Sequence, residues 1–143
     1  MKKMVLLLIL ILQIFCFIYC YSIIKRETPS NYIVDDNALV NMSIKDKTLS
    51  NTQATVILSN YDNITYEYGD GFVIEYKKGN TWYQMKQSYK FNTIAIAYSI
   101  LPNEEKELVI NWKDIYGTLS NGTYRIIKNF NNKYVAAYFT LNK

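Results

Sequence analysis

The chain contains no histidine. That absence removes the commonest general base, the Ser-His and Cys-His nucleophile systems, and the commonest metal ligand. Cysteine is almost as scarce: the only two, Cys16 and Cys20, precede residue 22. Residues 22–143 therefore exclude an internal disulfide, a cysteine-based metal site and a cysteine nucleophile. A basic stripe is missing too. The formal net charge is +4, Lys2 and Lys3 supply two of those charges, and the remaining +2 (4 − 2) is scattered. A nucleic-acid binder concentrates such charge, so that class is set aside. The carboxylates show no catalytic pairing, and Asp35-Asp36 and Glu104-Glu105 lack the spaced oxygen ligands of a calcium loop. No cofactor and no metal are expected, and the chain reads as a non-enzyme.

What is present falls into two unequal parts. Met1-Lys2-Lys3 is followed by an almost unbroken apolar run from Met4 to Tyr21, interrupted only by Gln13. Charge followed by an apolar run is how a secretory signal reads. Residues 1–22 are therefore a signal peptide or a membrane anchor. Cys20 and Ser22 give a loose small-residue pattern for cleavage after Ser22. The run also has about the 18 residues at which a membrane span begins. As an anchor it would hold Lys2 and Lys3 in the cytoplasm. Lipid attachment at Cys20 is a third reading. Each of the three places the rest of the chain outside the cytoplasm.

Residues 23–38, with Thr28-Pro29-Ser30-Asn31 and Asp35-Asp36-Asn37, read as a tether. From there on, 39–143 is rich in tyrosine, isoleucine, valine and threonine, which suit a pleated, half-buried surface. Apolar residues recur with period two. Val40, Met42 and Ile44 alternate, as do Ala54, Val56 and Leu58, then Phe72, Ile74 and Tyr76. Lys77-Lys78-Gly79-Asn80 predicts a hairpin turn into Trp82-Tyr83. Further strands are predicted at Ile94–Ile100, at Leu108–Trp112, from Tyr124 through Ile126 and Lys128 to Phe130, and from Tyr134 to Leu141. One helical turn is expected near Lys113–Tyr116. Seven to nine short antiparallel strands separated by turns suggest an all-β sandwich behind an N-terminal hydrophobic helix.

The strongest local signal is Leu119-Ser120-Asn121-Gly122-Thr123-Tyr124. In sandwich domains a tyrosine at a strand start after such a turn packs its ring at the core edge, and its hydroxyl bonds to upstream backbone. On this register Tyr124 and Ile126 face inward and Arg125 outward, which makes loss of Arg125 a mild change. Trp112 shares a face with Leu108 and Ile110 and is expected in the core. Trp82 fits either an inward anchor or an outward platform.

With these residues placed, the chain from about Leu39 to Leu141 resembles a family of bacterial immunoglobulin-like domains found in short exported proteins of low-GC Gram-positive bacteria. The resemblance rests on Tyr68-Gly69-x-x-Phe72-x-x-Glu75, Trp82-Tyr83 and Ala97-Tyr98-x-x-x-Pro102. Above all it rests on Trp112-x-x-x-Tyr116-Gly117-x-Leu119-x-x-Gly122-x-Tyr124-Arg125-Ile126-x-Lys128, with Ala136-Ala137-x-Phe139 closing the chain. It implies an immunoglobulin-like sandwich outside the cytoplasm and supplies no ligand. Two functions fit. One is a cell-envelope binding module for an unknown protein or cell-wall glycan, held at the membrane if the N-terminal segment stays uncleaved. The other is an accessory protein or inhibitor that blocks an extracellular enzyme with a loop.

Overall fold

The computed structural model of the chain describes residues 9–16, 27–88 and 96–142. Residues 9–16 form α1, within the apolar run, with exposed side chains. Among the described residues no helix is long and apolar enough to cross a membrane. Cys20, the expected cleavage position and Ile94 lie outside the described residues.

Ten strands and a short helix follow. They are β1 (Thr28–Pro29), β2 (Val40–Ile44), β3 (Gln53–Asn60), β4 (Tyr66–Gly69), β5 (Val73–Lys78) and β6 (Thr81–Gln84), then β7 (Ala97–Ile100), β8 (Glu105–Asn111), α2 (Lys113–Tyr116), β9 (Gly122–Phe130) and β10 (Lys133–Leu141). One sheet has the order β1-β6-β5-β9-β10, the opposing sheet β2-β3-β8, and β4-β7 forms a separate ribbon. Every paired strand runs antiparallel.

Turn chemistry fixes the two hairpins of the larger sheet. Lys78 pairs with Thr81 across Gly79-Asn80, and Gly79 has φ 59°. Phe130 pairs with Lys133 across Asn131-Asn132, with φ 47° and 68°. Positive φ in two-residue loops matches the right-handed twist of the strands, and Gly and Asn tolerate it best.

The inward faces follow the period-two pattern. Ala54, Val56 and Leu58 of β3, Val40 and Met42 of β2, and Ile110 of β8 meet Ile74, Ile126, Phe130, Val135, Ala137 and Phe139 of the larger sheet. Trp112 is fully buried between them. Its ring stacks on Phe139 at 5.6 Å, and its Nε1 donates to the Asn51 carbonyl at 3.0 Å. The expected one-turn helix is α2, directly after Trp112. The strand expected to begin at Phe72 begins at Val73 instead, and Phe72 packs against Tyr116.

The segment read from sequence as a tether is bound to the sheet over its described part. Thr28 and Pro29 pair with Gln84 and Tyr83. Ser30 N–H donates to the Trp82 carbonyl at 2.8 Å, and Asp35 N–H donates to the Tyr134 carbonyl at 2.8 Å. Val34 forms a parallel bridge to Tyr134. The segment thus runs from the β6 edge to the β10 edge, as a strap over the outer face. Sequence gave no sign of this because the strap's contacts are mainly backbone bonds and short polar side chains.

This arrangement predicts a sharp boundary. A chain beginning at Glu27 should unfold cooperatively. A chain beginning at Asn31 lacks β1 and the Ser30 contacts, and should be less stable by about 1–3 kcal/mol, the cost of leaving buried polar groups unpaired. Urea unfolding of the two chains checks this, and equal stability would show that the first part of the strap, residues 27–30, contributes nothing.

Candidate functional site

Three pairings bring the outer faces of β5, β9 and β10 together in two adjacent rows. Glu75 lies opposite Arg125, Val73 opposite Ile127, and Arg125 opposite Tyr138. Arg125 is outward on the register, as expected, yet it is only 6% exposed, and Glu75 is fully buried. Arg125 Nε and Nη2 donate to Glu75 Oε2 at 2.8 and 2.7 Å, and Nη2 also reaches Ser30 Oγ at 3.2 Å. The Trp82 ring covers the guanidinium, with Cζ 4.5 Å from the ring centroid. Trp82 therefore faces outward and packs against Tyr138 at 5.8 Å. The expectation that losing Arg125 would be mild is overturned, because the strap and Trp82 cover what sequence reads as a solvated face.

Both Arg125 bonds converge on one carboxylate oxygen. Glu75 Oε1 is buried and accepts no hydrogen bond from any described residue. Beside this pair, one residue row along, lies a cavity of about 320 Å³. Val73 and Ile127 line it from the sheet, and Tyr32 and Tyr134 from the strap and β10. The Tyr32 and Tyr134 rings meet edge to face at 5.0 Å and 75°. Asn129 and Gln87, both exposed, stand at its rim. Burial pushes the Tyr32 phenol above the usual tyrosine range, and the neighbouring Tyr134, Tyr116 and Glu75 push the same way.

Of the residues singled out by motif, Glu75, Trp82 and Arg125 meet here and Phe72 lines the cavity; the others fall elsewhere. The Tyr124 hydroxyl donates to the Ser120 carbonyl at 2.9 Å, and its ring stacks on Phe139 at 5.5 Å. A Cβ added at Gly122 would lie 3.3 Å from the Tyr124 ring, so the close approach of ring to backbone needs glycine there. Leu119 is buried, and its N–H donates to the Asn51 carbonyl. Tyr116 sits under β5, its hydroxyl accepting from Ile74 N–H at 3.3 Å and Gln87 Nε2 at 3.2 Å. Gly117 ends α2 with φ 77°. Lys128 is 2% exposed, and its Nζ donates to the Gly69 and Gly71 carbonyls at 2.7 and 3.0 Å. Burial lowers its pKa to about 8, against an opposing pull from Asp70. Trp112, Tyr116, Leu119, Tyr124 and Lys128 thus tie loops to the core, while Phe72 alone of the motif residues lines the outer-face cavity.

A model of the bacterial Ig-like domain family matches residues 36–140. The chain belongs to this family. No curated protein matches it significantly. The match begins within the strap, so residues 28–35 extend the bacterial Ig-like domain on its N-terminal side. Among the described residues no group of three or more acidic or cysteine side chains is placed to hold a metal ion.

Two sets of variants test these assignments. Tyr124→Phe should cost on the order of 1–3 kcal/mol, because it leaves the Ser120 carbonyl without its donor. Tyr124→Ala should cost more, since it adds a cavity against Phe139. Arg125→Ala should cost about 3–5 kcal/mol, since it strands the buried Glu75 carboxylate, whereas a double apolar replacement of Glu75 and Arg125 should recover most of that. Chemical denaturation reads all four, and a mild Arg125→Ala would show the ion pair to be solvated.

Lys128 makes a pH prediction. Its folded pKa is about 8, below the roughly 10.4 of an unperturbed lysine. Between those values the unfolded chain binds more protons, so stability rises with pH across that window and falls back as pH drops through about 8. Tyr76 acts in the opposite sense above pH ~10, because burial first, and a hydrogen bond to Glu27 second, push its phenol up to about 12. The rise should therefore be clearest from pH 8 to about 9.5, and Lys128→Met should flatten it in urea titrations at stepped pH.

Proposed function

We propose that the chain is a non-catalytic binding module of the bacterial cell envelope, exported by its N-terminal segment and using the outer face of the five-stranded sheet. The observation that carries this reading is the cavity beside the Glu75–Arg125 pair. The core accounts for the inward faces, and the strap seals the ion pair, but neither requires an aromatic-walled recess beside it. Sandwich domains present such faces and their flanking loops to partners. Family membership supports an interaction role. The apolar run behind Lys2 and Lys3, with a folded domain free of cysteine after it, supports export. The envelope partner is either a wall glycan or a protein.

A second reading has an observation of its own. Asn60 Nδ2 donates to the Ile64, Ile100 and Leu101 carbonyls at 2.8, 3.2 and 3.0 Å. One buried amide thereby fixes two loops whose Tyr61, Ile64 and Leu101 side chains are exposed. A rigid apolar tip of this kind suits a loop that plugs an extracellular enzyme.

Export and binding are tested separately. Residues 1–26 placed ahead of an alkaline phosphatase, which is active only outside the cytoplasm, should give active enzyme; an inactive fusion would remove the export reading. The full chain should sediment with purified wall sacculi. Tyr134→Ala should weaken that sedimentation if the outer face binds, and Leu101→Asp should weaken it if the loop tip does. No sedimentation would remove the wall as partner.

A further inference from the structure

The outer-face cavity carries a ligand class, and this inference rests on the binding-module reading above. We propose that it holds one neutral pyranose unit of an envelope glycan.

The chemistry of the lining decides against charge. Among the described residues, none that lines the cavity is acidic or basic. Glu75 and Arg125, one row along the sheet, are paired with each other. A cationic or anionic group would lose its hydration without gaining an opposite charge. The lining also decides for a ring with one apolar and one polar side. Tyr32 and Tyr134 present a fixed aromatic corner against which the C–H face of a sugar packs. Ile127 and Ile115, both buried, add apolar lining. The polar groups are at the edge. Gln87 Nε2 donates to the Tyr116 hydroxyl and Asn129 Oδ1 accepts from Asn132 N–H, and each amide keeps donor and acceptor capacity for sugar hydroxyls.

Size sets the number of rings. About 320 Å³ lies at the small end of ligand sites, which suits one ring with its neighbours left outside. The exposed rim residues allow a chain of sugars to continue past the mouth, so an internal or a terminal unit fits equally.

The test uses the full chain in a zwitterionic detergent, which carries no sugar headgroup. Chitotetraose and cellotetraose are titrated by calorimetry, with tri-lysine as the charged control. At least one tetrasaccharide should bind saturably, and tri-lysine should not. Val73→Phe fills the cavity from its floor and Gln87→Ala trims its rim. Each should weaken binding at least tenfold while the melting temperature stays within a few degrees. If Val73→Phe fails to fold, Gln87→Ala, at an exposed position, still decides. The proposal is overturned if neither saccharide binds, if the folded variants bind as well as the parent chain, or if tri-lysine binds more tightly than the sugars. If the parent chain binds neither saccharide yet sediments with sacculi, this inference falls and the module reading stands. If it does neither, this inference and the wall as partner both fall.

Discussion

The larger sheet is organised around a carboxylate and a guanidinium that have been taken out of water. Glu75 and Arg125 face each other across β5 and β9, two of its central strands. Burying two charges costs several kcal/mol per ion, which is repaid only when geometry is good and the remaining polar atoms find partners. The surroundings of the pair follow from that condition. Trp82 lies over the guanidinium, Ser30 takes the spare Nη2 proton, and the strap closes over both. The strap's own bonds to Trp82 and Tyr134 hold it at each side of the sheet. A face that is solvated in a simple two-sheet sandwich has here become a second, thinner interior.

Reading inward faces from the sequence worked because a sandwich core imposes period two on every strand that touches it. Tyr124, Ile126 and Phe130 point inward because the opposing sheet supplies Ala54, Val56 and Leu58 to meet them. The corner at Tyr124 was legible for a similar reason, since Ser120 to Tyr124 contains all its working parts within five consecutive positions. Outer faces carry no such rule. Their polar residues look alike whether they meet water or a strap, and strand pairing between Glu75 and Arg125 spans fifty positions. One signal was present. Arg125 is a lone cation between Tyr124 and Ile126-Ile127, in a strand buried from Tyr124 through Lys128. A charge embedded in so apolar a run needs a partner somewhere, although the sequence does not say where.

Lys128 shows how alternation and burial can hold at a position where polarity argues against both. It occupies an inward position at the end of the core, and its long stem lets the amine reach the carbonyls of Gly69 and Gly71. The β4–β5 loop is thereby fixed by a side chain from β9, the strand paired with β5. Burial at that location is what depresses the amine's pKa. Together with Trp112 on Asn51 and Tyr116 on Ile74, it makes the motif residues into clamps that hold loops against the sandwich.

This division of labour bears on where a binding face can sit. The motif residues are occupied inside the domain, and substitution there acts through stability before it reaches any ligand. The outer-face cavity differs because one of its walls, Tyr32, belongs to the strap and the wall it meets, Tyr134, belongs to β10. The aromatic corner exists only while the strap is docked. A ligand held in that corner binds the docked state alone, so its binding free energy adds to the hold of the strap on the sheet. By the same linkage, anything that loosens the strap weakens the ligand. The buried ion pair is part of this coupling through Ser30, which joins the strap to Arg125. An interaction that first looks like a costly structural choice therefore keeps the recess formed before a ligand arrives, and the ordering cost that a flexible segment pays on binding has already been met during folding.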